Sequence, residues 1–167
     1  MSETVFTFPV RVYYEDTDAG GIVYYANYLK FFERARTEWL RALGIEQDLL
    51  LSKNVAFVVT QVLMDNKKAA KFNELLTVSS QISTLKRASM VFQQTIHNSA
   101  GELNCTAQIT VACISLQEMK ARAIPAEVTE GLLRGRWDFY FKFTNWSQFC
   151  GAIGYVDIAG DVRYVMD

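Results

Sequence analysis

The residues of this chain that could carry chemistry are concentrated in one stretch, EDTDAGGIVYYANY, at residues 15–28. Two aspartates precede a glycine pair, and two tyrosines follow: Asp16, Asp18, Gly20, Gly21, Tyr24 and Tyr25. A carboxylate can attack an electrophilic carbonyl directly or can activate a water molecule for that attack. Glycines let the backbone turn sharply and approach a ligand closely. The stretch therefore combines an acid, a tight turn and an aromatic segment.

A helix is predicted directly after this loop, over residues 24–43, because apolar residues recur there at helical spacing. Gly44 follows, where a glycine that ends a helix belongs. The N-terminus of a helix carries unpaired N–H groups and a partial positive charge, which can polarise a carbonyl oxygen. An aspartate opposite those groups would complete half of an acyl-transfer site. A thioester is a suitable target, since its carbonyl is more electrophilic than that of an amide.

Two plainer interpretations of the same stretch stay open at this point. Aspartate and glycine are ordinary capping and loop residues before a helix. The letters DTDAGG also resemble a calcium loop, although no acid follows at the spacing that an EF-hand requires.

Composition narrows the classes of protein that remain. The chain has 167 residues with a formal net charge of −1, and 50% of them are hydrophobic. Its size and apolar content predict one folded domain, and the near-zero charge argues against a nucleic-acid-binding module. No run of about 18 apolar residues predicts a membrane span, and no basic segment followed by an apolar one predicts a signal peptide.

The chain offers few groups for other kinds of catalysis. His97 is the only histidine, so a multi-histidine metal site is impossible, and no GxSxG sequence supports a nucleophile triad. The cysteines form no CxxC pair and are expected to be buried thiols of a cytoplasmic protein: Cys105, Cys113 and Cys150. We expect no metal and no cofactor.

The rest of the chain predicts an α+β domain over residues 1–134. Five apolar, β-branched segments predict strands, and a short helix is expected after Pro125: strands at 5–14, 55–65, 75–85, 88–97 and 103–116, and a helix at 126–134. Strands in series predict an antiparallel meander, here wrapped around one long helix as in the hotdog fold. Its long apolar edges predict a homodimer at least. Residues 135–167 are rich in aromatics without periodicity, and we expect this extension to be dispensable for activity.

The segment VRVYYEDTDAGGIVYYANYLKFFERARTEWL, residues 10–40, resembles the signature of the hotdog-fold acyl-CoA thioesterases. It is most similar to the subfamily associated with the Tol-Pal cell-envelope system, and next to the 4-hydroxybenzoyl-CoA thioesterases. The pattern D-x-D-x-x-G-x-V, followed by Asn-Tyr, carries the resemblance, which extends over residues 6–134. It implies hydrolysis of a small or medium acyl-CoA, or of an acyl-carrier-protein thioester. A non-catalytic hotdog scaffold that binds acyl carriers is the alternative.

The resemblance also implies roles for particular residues. Asp18 matches the catalytic carboxylate, and Tyr25 matches the position whose backbone N–H polarises the thioester carbonyl. Asp16 and Thr17 match positions that shape the turn, and Gly21 and Tyr24 would contact the substrate. The Tol-Pal-associated members often have histidine where this chain has Tyr25, whereas tyrosine is found in the 4-hydroxybenzoyl type.

Assembly and partners follow from the same resemblance. The site of such enzymes lies at a subunit interface, so a homodimer or homotetramer is implied. A basic surface patch would hold the phosphates of CoA, and four cations near strand ends are candidates: Lys86, Arg87, Lys120 and Arg122. No nucleic acid is expected as a partner.

Overall fold

The computed structural model describes residues 5–134, 153–156 and 162–165. The chain divides into two compact units, Met1–Leu133 and Arg134–Asp167. Besides one turn of 3-10 helix at Tyr14–Asp16, the described residues as far as Arg134 contain six strands and three α-helices, in this order: β1 Phe6–Arg11, α1 Asn27–Ala42, α2 Gln47–Ser52, β2 Ala56–Asn66, β3 Leu75–Leu85, β4 Ser89–Asn98, β5 Leu103–Ser115, β6 Lys120–Ala121 and α3 Ala126–Arg134.

The strands form one antiparallel sheet in the order β1-β3-β4-β5-β2, with β6 added at the end of β5. The predicted serial meander is therefore wrong for β2, which crosses to the far side and pairs with β5. Residues 67–74 connect β2 to β3 and are too many for a tight hairpin. Only β3, β4 and β5 form a meander, joined by short connections at residues 86–88 and 99–102.

Helix α1 lies on the concave face of this sheet because one stripe of it is apolar. The buried residues of α1 recur every three or four positions: Asn27, Tyr28, Phe31, Phe32, Ala35, Trp39 and Leu40. Trp39 stacks on Phe6 of β1 at 5.9 Å between ring centroids and meets Phe92 of β4 edge-on at 6.0 Å. Helix α1 is thus held against two strands, β1 and β4, by the indole ring of Trp39.

The helix begins three residues later than predicted and ends close to the predicted position. Tyr24 and Tyr25 precede it as a turn, and Tyr25 is 58% exposed, so its ring does not belong to the buried stripe. Gly44 has a φ of +76°, the left-handed conformation that glycine tolerates after a helix. The short helix α2 is not predicted by the sequence pattern.

A buried polar network joins the middle of α1 to the sheet. Arg36 donates to the Gln94 side chain at 2.8 Å, and the Gln94 amide donates to Ser80 Oγ at 2.7 Å. The same amide donates to the Phe32 carbonyl at 3.1 Å. Burial lowers the pKa of the Arg36 guanidinium from its usual value. The network satisfies polar groups that would otherwise be left unpaired in the core.

Both cysteines among the described residues are free thiols in the core, as expected. Cys105 and Cys113 lie on the inward face of β5, eight residues apart, and neither has exposed surface. Burial raises the pKa of the Cys105 thiol to about 12 and also raises that of Cys113. Cys150 lies outside the described residues.

Two short strands are described in the second unit, β7 Ile153–Val156 and β8 Val162–Val165, and they pair antiparallel. Most of residues 135–167 lies outside the described residues, so the dispensability of this extension stays a prediction. No helix in the described part of the chain is long and apolar enough to cross a membrane.

Candidate active site

The aspartate–glycine loop folds into a very small hairpin between β1 and α1. Thr17 and Val23 form a β-bridge at its base, and the Asp18 N–H donates to the Ile22 carbonyl at 2.9 Å. At the tip, the Gly21 N–H donates to the Asp18 carbonyl at 3.0 Å. Gly21 has a φ of +73°, which a residue with a side chain rarely adopts. The second glycine of the motif therefore makes the turn possible.

The Asp18 side chain is exposed on this hairpin, and only one of its two carboxylate oxygens accepts a hydrogen bond from the described residues. Its Oδ1 accepts a hydrogen bond from the Gly20 N–H at 2.8 Å. A Cβ atom at Gly20 would lie 3.1 Å from this oxygen, so any other residue there would crowd the carboxylate. Oδ2 accepts no hydrogen bond from the described residues. One oxygen is thus held in place while the other remains accessible to a substrate or a water molecule.

Asp16, two residues earlier, is buried and serves the backbone. Its Oδ2 accepts the Tyr13 N–H at 2.8 Å, and only 3% of the residue is exposed. Its carbonyl oxygen accepts the Tyr24 N–H and the Asn27 side-chain amide, both at 2.9 Å. The arrangement agrees with the turn-shaping role implied for Asp16, and it leaves Asp18 with the more accessible carboxylate of the two aspartates.

The start of α1 is open toward this loop. Ala26 is the N-cap, and no side chain caps the helix there. The Asn27 N–H donates to the Tyr24 carbonyl at 2.8 Å, whereas the Tyr25 N–H has no hydrogen-bond acceptor among the described residues. An unpaired N–H at this end, reinforced by the helix dipole, is the kind of donor that stabilises a developing oxyanion.

The two tyrosine rings form an exposed pair beside this donor. The ring centroids of Tyr24 and Tyr25 lie 4.9 Å apart at 55°, and the residues are 46% and 58% exposed. A hydrogen bond between their hydroxyls raises the pKa of Tyr24 above its ordinary value. Four of the sequence-predicted site residues are therefore brought together at the loop and the helix start: Asp18, Gly21, Tyr24 and Tyr25.

The four predicted cations lie together at the opposite end of the sheet. Lys86 and Arg87 occupy the turn after β3, Lys120 pairs with the end of β5, and the Ile124 N–H donates to the Arg87 carbonyl at 2.8 Å. The loop with Asp18 pairs with residues just before β3, whereas the cations lie beyond the other end of this strand. The 11 residues of β3 span about 35 Å at ~3.3 Å per residue, and this length separates Asp18 from the cations. Within one chain, these cations and Asp18 do not form one site.

Arg122 differs from the other three cations because its guanidinium is already engaged. Its Nη1 donates to the carbonyls of Asn54 at 3.0 Å and of Lys53 at 3.4 Å, at the C-terminal end of α2. A cation in this position satisfies carbonyl groups that the helix leaves unpaired. Lys86, Arg87 and Lys120 are exposed and have no such partner in the described residues.

Residues 70–72 form backbone contacts with the Asp18 loop, and the sequence analysis did not predict these contacts. The Val23 N–H donates to the Ala70 carbonyl at 2.8 Å, Ile22 forms a bridge with Lys71, and the Phe72 N–H reaches the Gly21 carbonyl at 3.4 Å. All three contacts use backbone atoms. Residue types therefore gave no signal for them.

The comparisons with known proteins agree with this geometry. Residues 12–132 match the family model described as the Thioesterase-like superfamily. The acyl-CoA thioesterase YbgC of Haemophilus influenzae is 49% identical over 129 residues, which cover 77% of this chain and 94% of that protein. The acyl-CoA thioester hydrolase YbgC of Escherichia coli O157:H7 is 42% identical over 128 residues, with 77% and 96% covered.

A crystal structure with the same fold is a probable thioesterase from Bartonella henselae. It is 37% identical, has a TM-score of 0.69, and the match covers 72% of this chain and 99% of that one. The chain belongs to the thioesterase-like superfamily and has its hotdog fold. The predicted fold and the predicted enzyme class, a thioester hydrolase, are both confirmed.

The geometry of the loop predicts the effect of replacing Asp18 with its amide. Asp18→Asn keeps the shape and the hydrogen bond from the Gly20 N–H, and it removes the charge needed to attack or to activate water. We expect thioester hydrolysis to fall by at least ~10²-fold with the fold and assembly unchanged. Glu15→Gln is the matched control, since Glu15 is an exposed acid of the same segment, and its activity should stay near wild type. Hydrolysis by Asp18→Asn within a few-fold of wild type would contradict the assignment.

Proposed function

We propose that this chain hydrolyses the thioester of a small or medium acyl-CoA, with Asp18 as nucleophile or general base and the Tyr25 N–H as carbonyl donor. One observation carries the proposal: a carboxylate with a free oxygen and an unpaired N–H at a helix start lie on the same loop–helix junction. The names of the YbgC relatives support the acyl-CoA class of substrate. An acyl-carrier-protein thioester contains the same reacting bond and is the second substrate that we propose.

The chemistry follows from these two groups. The substrate carbonyl oxygen accepts the Tyr25 N–H, which stabilises the negative charge that develops as the carbonyl carbon becomes tetrahedral. In one route the Asp18 carboxylate attacks that carbon, the C–S bond breaks to release the CoA thiolate, and water hydrolyses the resulting mixed anhydride. In the other route Asp18 removes a proton from water as the water oxygen attacks the same carbon, and the C–S bond then breaks to release the CoA thiolate. Both routes require the same placement of carboxylate and N–H.

An assay of thiol release tests the function directly. We expect the purified chain to release CoA from at least one member of a panel of short, medium and aromatic acyl-CoAs, above the background of the Asp18→Asn variant. The rank order of kcat/KM would define the acyl preference. No turnover of any acyl-CoA or acyl-carrier-protein thioester would favour the non-catalytic scaffold instead.

Variants of Tyr25 separate its backbone from its ring. Tyr25→Phe should keep activity within about tenfold if the N–H is the working group. Tyr25→Pro deletes that N–H at a position where no hydrogen bond is lost, and removal of one oxyanion donor costs about 10²–10³ in turnover. Proline also restricts the preceding Tyr24, so circular dichroism and gel filtration must first show an intact fold and assembly. A folded Tyr25→Pro variant with near-normal turnover would exclude this N–H as the donor.

We also propose that the complete site needs two chains. The two sheet edges differ: β1 has six residues and contains Pro9, whereas β2 has 11 residues and leaves Val59 and Leu63 about half exposed. Proline suits a free edge, so β2 is the edge that we expect to pair with a second copy. A two-fold axis at this edge pairs the strands antiparallel and places the Asp18 end of one chain beside the basic end of its partner.

This arrangement gives the four cations a role that they cannot have within one chain. Lys86, Arg87 and Lys120 of one subunit would hold the CoA phosphates while Asp18 of the other reaches the thioester. Arg122 would contribute by fixing the end of α2 beside them. A homotetramer of two such dimers is the larger assembly that we propose. The buried free thiols support a reducing compartment, the cytoplasm, and the association with the Tol-Pal system rests on the subfamily resemblance.

Mixed dimers decide whether the two groups act across the interface. One chain carries Asp18→Asn and the other carries Lys86→Ala together with Arg87→Ala, and the mixed dimer is purified with two different tags. If the cations act on the partner's site, one of the two sites is intact, and about half of the wild-type activity should return. If they act within their own chain, both sites are damaged, and activity should stay as low as in the two parent variants.

A further inference from the structure

The Asn-Tyr pair of the sequence motif, Asn27 and Tyr28, has no role in the chemistry proposed above. These are the first two residues of α1, and only 8% and 3% of their surfaces are exposed. Polar side chains buried at a helix start are hydrogen-bonded in most proteins, and the partners indicate what the side chains hold. Here both partners belong to backbone that leads into or supports the Asp18 loop.

Asn27 holds the chain where it enters the loop. Its Nδ2 donates to the Asp16 carbonyl at 2.9 Å, and the Tyr24 N–H donates to the same oxygen at 2.9 Å. Asp16 is therefore tied to the first turn of α1 by the Asn27 side chain and to the turn just before the helix by the Tyr24 N–H.

Tyr28 acts on the other end of the loop, at Val23, through the backbone of Ala70. Its hydroxyl oxygen accepts the Ala70 N–H at 3.2 Å, and the Ala70 carbonyl accepts the Val23 N–H at 2.8 Å. Ala70 has no exposed surface, so water cannot replace the phenol as acceptor. Burial raises the pKa of Tyr28 above its ordinary value. The ring is fixed separately by an edge-on contact with Phe31 at 6.1 Å.

We propose that Asn27 and Tyr28 are positioning residues, which hold the two ends of the 17–23 loop to α1 and so set the distance between the Asp18 carboxylate and the Tyr25 N–H. The proposal rests on the catalytic roles proposed for Asp18 and Tyr25. Both reacting groups are connected to the first turn of α1. Asp18 is connected through the loop that Asn27 and Tyr28 hold, and Tyr25 is connected directly, because it lies two residues before the helix. A displacement of about 1 Å at such a site can lower turnover by ~10²-fold while substrate affinity, determined elsewhere, is retained.

Tyr28→Phe is the sharpest test because it removes one oxygen atom and keeps the ring. We expect kcat to fall about tenfold or more, KM to stay within threefold, and the fold and assembly to be unchanged. Asn27→Ala removes the amide donor without burying a charge, and it should show the same loss of kcat without a matching change in KM.

Ser80→Ala is the matched structural control. It also removes one buried hydroxyl acceptor, the one that receives the Gln94 amide at 2.7 Å, at a point on the sheet remote from the loop. We expect it to lower the unfolding temperature about as much as Tyr28→Phe does, with kcat within twofold of wild type. Tyr28→Phe with kcat also within twofold would overturn the proposal and make the hydroxyl purely structural.

Amide hydrogen exchange gives a readout that does not depend on turnover. In the wild-type protein the Ala70 and Val23 amides should be protected to a degree similar to β3 amides, and in Tyr28→Phe both should exchange at least tenfold faster. Unprotected Ala70 and Val23 amides in the wild type would overturn the proposal even if Tyr28→Phe did not fold. The Asp18→Asn variant tests the catalytic assignment by itself, so failure of the positioning role and failure of the proposed function remain distinguishable.

Discussion

The carbonyl oxygen of Asp16 is the acceptor on which the geometry of the site depends. It receives the Asn27 side-chain amide from the first turn of α1 and the Tyr24 N–H from the segment just before that turn, while the carboxylate of the same residue receives the Tyr13 N–H. The bond from Asn27 is buried and the bond to the carboxylate is partly buried, so breaking either one would leave a polar group without its partner. The backbone between β1 and α1 is therefore rigid where an exposed loop would ordinarily be mobile. Asp18 can be exposed and still have a defined position because Asp16, two residues earlier, is buried and hydrogen-bonded.

The sheet and helix supply the rigid frame behind this junction. One apolar stripe of α1 packs on β1 and β3, and this packing holds the helix against the sheet. A helix that cannot slide presents its N-terminus at a constant position. The unpaired N–H groups at that end are then oriented before a substrate arrives, which is the condition under which such donors lower a reaction barrier.

The sequence was informative wherever a pattern is local. Helical spacing from Tyr28 to Leu40 predicted α1, and apolar, β-branched segments predicted the strands, whose residues alternate in burial in the structure. The helix start was placed too early because the aromatic Tyr24 and Tyr25 continue the apolar spacing, although their rings are exposed. Two acids two residues apart are equivalent by composition alone. The family resemblance assigned different roles to Asp16 and Asp18, and their opposite burial agrees with it.

Long-range backbone pairing accounts for most of what the sequence did not predict. Nothing in β2 indicates that it pairs with β5 instead of β3, since both neighbours would accept the same apolar strand. The support of the loop by residues 70–72 uses only N–H and C=O groups, which every residue has. The distance between the basic residues and Asp18 likewise depends on strand direction, which composition does not encode.

The burial of Cys105 and Cys113 has a practical consequence for spectroscopic work on this enzyme. With a pKa of about 12, only about one Cys105 thiol in ten thousand is ionised at pH 8, and the protein also shields it from reagents. Maleimide or methanethiosulfonate labels therefore react slowly with both of these native cysteines. In a variant without Cys150, a single new cysteine on an exposed position of the first unit would outcompete them, so fluorophores or spin labels can be attached there without removing either buried thiol.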